Sequence, residues 1–167
     1  MKQHRYIYGL EWNTKLRKMR DSIDESEARK RFHTGPWFSI AKFEHDDQVI
    51  PTFSIELQAN AKVARVVFYD SAGSVVKIHD FTFVNDQLFL DNTVKYTYSA
   101  KGFHRMNETA TVVTINYTPE GIGHITTDDV SRPDIERTSY ENVDVSSNWE
   151  PVPKFGEWES LGRRDRT

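Results

Sequence analysis

The sequence predicts a mainly β protein of the α+β class, with an antiparallel sheet of about six or seven strands that is strongly curved or barrel-like. Short segments in which apolar and polar residues alternate are separated by turn-forming residues, and one segment near the N-terminus has helical spacing instead. The 167 residues suit a single domain, and ten Phe, seven Tyr and four Trp can supply an aromatic core.

A basic amphipathic helix is predicted over about residues 13–32. A capping-box pattern that begins at Ser22 leaves two shorter helices as the alternative. In either case the helical pattern ends before Gly35 and Pro36, which disfavour its continuation. Three apolar residues recur at helical spacing with basic residues between them: Leu16, Met19 and Ile23.

Beyond Trp37 the period of the sequence changes to two, which is typical of strands. The run from Val63 to Tyr69 is apolar on both faces except at Arg65, so we place this strand centrally in the sheet. A turn at 70–73 joins it to the next strand. The predicted strands are 53–57, 63–69, 74–84, 88–90, 94–98, 109–117 and 122–126.

The strand at 74–84 contains a change of parity at His79 and Asp80. A β-bulge there would bring the imidazole and the carboxylate to one face, close to Tyr96. The alternative is that both faces of this strand are covered, in which case the two neighbours point apart. His79, Asp80 and Tyr96 are the only candidate catalytic residues, since this set could perform acid–base chemistry.

Residues 129–167 lose periodicity, and we separate them from a β-rich domain over 1–128 as an acidic tail. Residues 129–159 contain eight carboxylates, interleaved with aromatic side chains. Aromatic anchors and carboxylates are the combination that binds a basic protein surface. We therefore expect the tail to dock on its own domain or on a partner.

Several function classes are disfavoured by composition. The chain has no cysteine, which excludes thiolate metal sites and cysteine nucleophiles, and its six histidines are scattered without ligand spacing. We expect no metal and no cofactor. There is no long apolar run, so we expect a cytoplasmic chain without a membrane partner. A basic N-terminal segment could meet nucleic acid, but the net charge of −3 makes that partner a poor match.

The sequence favours binding over catalysis. The leading hypothesis is a protein-binding module, of the inhibitor or immunity type, that neutralises a basic toxin or nuclease. The alternative is a β-barrel that binds a small apolar ligand, or an enzyme that uses the candidate catalytic residues above. The expected partner-binding residues are Asp134, Glu136, Tyr140, Glu141, Asp144, Trp149, Glu150, Phe155, Glu157 and Trp158.

Overall fold

One large antiparallel sheet forms the body of the protein. The computed structural model describes residues 5–58 and 62–166. In these residues the elements are β1 (Arg5–Gly9), β2 (Glu11–Asn13), β3 (Lys18–Arg20), α1 (Glu25–Thr34), β4 (Phe38–Phe43), β5 (Phe53–Gln58), β6 (Val63–Tyr69), β7 (Val75–Val84), β8 (Gln87–Thr97), β9 (Thr111–Tyr117), β10 (Gly123–Asp129), β11 (Glu136–Tyr140) and β12 (Trp149–Pro151).

Within residues 5–58 and 62–166 the sheet is open and has ten strands. Its order is β1, β4, β5, β6, β7, β8, β9, β10, β11, and β12 pairs with the start of β8. The predicted antiparallel sheet is confirmed, but the predicted count of six or seven and the strongly curved or barrel-like form are wrong. Segments near both ends of the chain add strands, and the edge strands β1 and β11 do not pair with each other in the described residues.

The two faces of the sheet are covered by different parts of the chain. On the first, the helix face, side chains such as Ile55, Val66 and Phe81 pack beneath α1 and the residues around Trp158. On the second, the hairpin face, Val67 and Ile78 pack beneath β2 and β3. Strand β6 has a neighbour on each side, as its apolar sequence predicts.

The helix is shorter than the predicted 13–32, because residues 11–20 form the β2–β3 hairpin. Met19, one of the three residues at helical spacing, pairs with Trp12 instead, and both are buried. A side chain at Gly9 would overlap Met19 and the Arg20 carbonyl oxygen, so glycine lets the hairpin lie close to β1. Tertiary packing therefore overrides the local helical pattern.

Helix α1 begins with an N-cap at Asp24, whose Oδ1 accepts a hydrogen bond of 2.8 Å from the Glu27 amide. It ends at the predicted point: Gly35 has a φ of 92°, and its amide donates to the Arg31 carbonyl at 2.7 Å. No helix in residues 5–58 and 62–166 has the length and apolar character needed to cross a membrane.

The N-cap gives a first prediction. We expect Asp24→Ala to lower the free energy of unfolding by about 1 kcal/mol, since an amide of the first turn loses its acceptor. Asp24→Asn preserves an acceptor at this position and should change stability by only a few tenths of a kcal/mol. Urea denaturation followed by circular dichroism measures both. Equal losses in the two variants would contradict the role of the cap.

The C-terminal residues belong to the folded body. The boundary predicted after residue 128 falls inside β10, and β11 extends the sheet beyond it. Farther along, Trp158 and Leu161 are fully buried on the helix face. Glu159 accepts hydrogen bonds from Lys42 Nζ at 2.7 Å and Tyr6 Oη at 2.5 Å. The tail is therefore docked on its own sheet.

Candidate functional site

Of the three candidate catalytic residues, His79 lies on the helix face of the sheet, whereas Asp80 and Tyr96 lie on the hairpin face. His79 is buried on the helix face, with its ring between Phe68 and Phe81. Asp80 lies on the hairpin face, where it pairs with Arg65. A register shift does occur beside Asp80, but the extra residue is Asp91 of β8, and β7 pairs regularly with β6 from Lys77 to Phe81. The imidazole and the carboxylate are therefore kept apart.

A row of polar side chains crosses the hairpin face from β4 to β11. The residue with the most hydrogen bonds in this row is Asp80. Its carboxylate accepts a hydrogen bond of 2.7 Å from Arg65 Nε and one of 2.9 Å from Asn92 Nδ2. The bulge at Asp91 brings Asn92 onto this face opposite Asp80. Successive cross-strand neighbours in the row are Ser39, Glu56, Arg65, Asp80, Asn92, Asn116, His124 and Ser139.

A cavity of about 350 Å³ lies over the first half of this row. The sheet supplies its floor, and the β2–β3 hairpin forms one wall through Trp12. The opposite wall is the loop at 99–110, which contributes Phe103 and His104. This loop is anchored because the His104 ring stacks on Tyr98, with 5.1 Å between the ring centroids. The cavity, which we call the hairpin cavity, is thus aromatic on both walls.

Glu56 and Arg65 are the charged side chains that the sheet contributes to the hairpin cavity, whose lining also includes the exposed Glu11, Lys15 and Arg105. The Arg65 guanidinium is held by Asp80, and this pairing raises the pKa of Arg65. No hydrogen bond joins the Glu56 carboxylate to another described residue. Burial raises the pKa of Glu56, although the nearby guanidinium opposes the shift. The cavity therefore contains a half-buried carboxylate that lacks a hydrogen-bond donor.

The floor of the hairpin cavity is rigid and mainly apolar. Val67, Val75 and Ile78 are buried there. The Tyr69 hydroxyl is 2.6 Å from Ser54 Oγ, and burial raises the pKa of this tyrosine well above its usual value. Tyr69 is consequently a neutral hydrogen-bonded side chain that shapes the cavity rather than a proton donor near neutral pH.

The residues expected to bind a partner divide into two groups. Trp158 is fully buried, Phe155 packs against the same core, and Trp149 contacts Phe89 at 4.7 Å between ring centroids. Glu150 is 3% exposed and pairs with two arginines of its own chain. The residues left exposed are Asp134, Glu136, Tyr140, Glu141, Asp144 and Glu157.

Sequence reasoning did not find Glu56, Trp12 or Phe103 as site residues. Glu56 stands in a strand where alternation assigned it to the solvent side. That assignment assumed that residues 13–32 were helical, whereas the hairpin formed by part of this segment covers the face. The one available signal was Arg65, the single charge in an otherwise apolar strand, because a charged side chain there needs a polar neighbour or water on its face of the sheet.

The fold and the hairpin cavity define the protein only as an open antiparallel sheet with a ligand-sized cavity on one face. Comparisons of the chain with protein-family models, with curated proteins and with solved structures found no match. Within the described part of the chain, no group of three His, Asp or Glu side chains is placed to hold a metal ion.

Proposed function

We propose that this protein binds a flat, mainly aromatic small molecule that carries an amino group, and that it does so in the hairpin cavity without catalysis. The observation that carries this proposal is the Glu56 carboxylate, which faces an aromatic cavity without a hydrogen-bond donor from the described residues. A ligand amine would supply that donor.

The size and lining of the hairpin cavity suit such a ligand. Its volume of about 350 Å³ lies at the lower end of the range of small-molecule sites. Trp12, Tyr69 and Phe103 offer ring surfaces, and aromatic rings stack on flat ligands and attract cations. The ligand body should therefore be about the size of one bicyclic ring.

Charge complementarity sets the expected polarity of the ligand. Arg65 is neutralised by Asp80, so its positive charge is already matched. Glu56 has only the shared attraction of Arg65, and burial has removed much of its water. A ligand cation beside Glu56 would restore the stabilisation that the carboxylate lost on burial, whereas Glu56 would repel an anionic group placed next to it.

Tryptamine, indole-3-ethanol and indole-3-acetate form a matched set of probes for this site. They share the indole ring and carry a cationic, a neutral and an anionic group. We expect tryptamine to bind at least about tenfold more tightly than the alcohol, because both can donate a hydrogen bond to Glu56 but only the ammonium group adds the attraction of opposite charges. Isothermal titration calorimetry gives the three affinities, and indole-3-acetate should bind weakest.

Glu56→Gln tests the residue itself. We expect it to weaken tryptamine binding by about tenfold or more. Glu11→Gln is the matched control, because Glu11 also lines the hairpin cavity but is exposed and paired with Arg20 at 3.2 Å. It should change the affinity less than about threefold. Equal losses in both variants, or no binding of any indole to the wild type, would refute the proposal.

The same variant should not lose stability. A carboxyl whose pKa is raised by folding destabilises the folded state above that pKa, and the cost disappears below the pKa of the unfolded chain. We therefore expect Glu56→Gln to be at least as stable as the wild type at pH 7, with its advantage vanishing below about pH 4. Urea denaturation across this pH range measures the difference. An advantage that grew on acidification would contradict the raised pKa.

Protein binding is a second proposal, and the free edge of β11 favours it. All five residues of β11 are exposed, and among the described strands only β10 pairs with it. An open edge can accept a strand from a partner. Tyr140, Glu141 and Asp144 lie at its end and could meet a basic surface, as an inhibitor of a basic toxin or nuclease requires.

Nuclease inhibition tests this second proposal. The activities of a panel of basic nucleases are measured with and without the protein. Inhibition by the wild type that is lost in a Glu141→Lys/Asp144→Lys variant would support binding through the edge. Glu11→Lys, which reverses a charge far along the sheet from this edge, is the control. Failure to inhibit any nuclease of the panel would count against an inhibitor function.

A further inference from the structure

We propose that the helix face contains a second ligand site, which binds a small phosphorylated compound where residues 164–166 cross β7, β8 and β9. This site is a cavity of about 210 Å³ on the other side of the sheet from the hairpin cavity. We call it the basic cavity. The inference is independent of the function proposed above, since the two cavities share no lining residue.

The charge of the basic cavity is the first observation. Its lining contains four cations, Lys77, Lys95, Arg164 and Arg166, against one carboxylate, Asp165. The chain as a whole has a net charge of −3, so this concentration of positive charge is local. Such an excess favours an anion with more than one charge, as a phosphate monoester is near neutral pH.

The anchoring of Arg166 is the second observation. Its side chain is only 3% exposed, and Nη1 donates to Glu150 Oε1 at 2.6 Å. Nη2 donates to the Ser160 carbonyl at 2.7 Å, while Nε has no partner among the described residues. Glu150 also pairs with Arg163, so its charge is shared between two guanidinium groups. One carboxylate and two guanidinium groups leave a net charge of +1 here, and their contacts hold the Arg166 guanidinium in the wall of the basic cavity.

His79 lies in the lining of the basic cavity, where burial and the neighbouring cations both act on its imidazole. It lines the basic cavity at 2% exposure, and its Nδ1 has no hydrogen-bond partner among the described residues. Burial above all, and then Arg166, Lys77 and Lys95, lower its pKa to about 3, although Asp165 acts in the opposite direction. The imidazole is therefore neutral, and an anion placed beside it would raise its pKa.

Asp165 occupies the place that a ligand oxyanion would take. Its side chain is 83% exposed, yet its Oδ1 lies 2.9 Å from Lys77 Nζ, which also donates to the Arg164 carbonyl at 2.7 Å. Lys95 has no ion-pair partner among the described residues. A phosphate group could bind both lysines, and it would displace the exposed carboxylate at small cost because surface ion pairs are weak.

Glycerol 3-phosphate, inorganic phosphate and glycerol are the probes. We expect glycerol 3-phosphate to bind most tightly in isothermal titration calorimetry, and glycerol not to bind. The same titration followed by NMR of the histidine rings should show the pKa of His79 rising on binding. Equal affinity for inorganic phosphate would overturn the assignment to a phosphorylated compound, and no binding of either phosphate would overturn the site.

Three substitutions test the assignment of residues. We expect Lys95→Gln to weaken binding by about tenfold or more, and Asp165→Asn to tighten it several-fold by removing the competing carboxylate. Lys154→Gln is the control, because it removes the same charge from the exposed C-terminal part of the chain outside the basic cavity. Equal losses in the two lysine variants, or weaker binding in Asp165→Asn, would overturn the proposal.

Discussion

Replacement of Trp158 by alanine is expected to lower the free energy of unfolding by about 3–5 kcal/mol. Trp158 is fully buried on the helix face. Its ring makes edge contacts with Phe32 of the helix, at 5.7 Å between centroids, and with Phe155, at 5.5 Å. Its removal would open a large cavity between α1 and the sheet. Urea denaturation at constant temperature, followed by circular dichroism, measures the loss.

Trp37→Ala is the matched control, because it makes the same chemical change at a side chain that is 37% exposed. We expect it to cost less than about 1 kcal/mol. If the two variants were equally stable, the C-terminal residues would not be packed on the sheet in solution. Trp158 would then become available as a partner anchor, which is the role that its sequence context suggested.

The elements that were predicted well from the sequence are those whose residue pattern is set by nearby residues and by one buried face. In β5 the alternation of Phe53, Ile55 and Leu57 with polar residues matches a strand with one face in the main core. The turn after Tyr69 is equally local, since Gly73 has a φ of 93° and Asp70 Oδ1 accepts the Ser74 amide at 2.9 Å. These features need no knowledge of distant residues.

The elements that were not predicted from the sequence depend on contacts between residues that are far apart in the chain. Met19 fits a helix by spacing, but its partner in the hairpin is Trp12, and no local pattern reveals that pairing. The C-terminal residues have no period because they cross the sheet as an irregular segment. A side chain at Gly162 would overlap Phe53, which indicates how closely this segment lies on β5. Aromatic content alone could not separate docking on the chain itself from docking on a partner.

The candidate sites depended on which face of the sheet each side chain occupies and on what covers that face, and neither could be read from the sequence. Adjacent residues on a regular strand point to opposite sides, so His79 and Asp80 separate unless a bulge falls between them. The extra residue, Asp91, is in the neighbouring strand. Glu56 became a site residue only because another segment covers its face. Alternation along a strand can place a residue on the face away from the main core, but it cannot show whether another segment of the chain covers that face.

Replacement of Glu150 by methionine is the other change expected to have a large effect. The Glu150 side chain is 4% exposed, and that of Arg166 is 3% exposed. Removing the carboxylate would leave a buried guanidinium without its counter-charge, which costs about 3–5 kcal/mol. Glu150 was predicted to bind a partner protein, and this experiment asks whether its function lies instead within the fold.

A double-mutant cycle between Glu150 and Arg166 separates the ion pair from simple packing. The Glu150→Met/Arg166→Met double variant should be more stable than the sum of the two single losses predicts, by about 2 kcal/mol or more, because no buried charge is left unpaired. Arg163→Met is the control: this arginine contacts the same carboxylate but is 52% exposed, and its loss should cost less than about 1 kcal/mol. Additive losses for Glu150 and Arg166 would mean that the two side chains contribute through packing alone. Strong coupling would establish a buried charge pair that joins β12 to residue 166 and fixes the wall of the basic cavity.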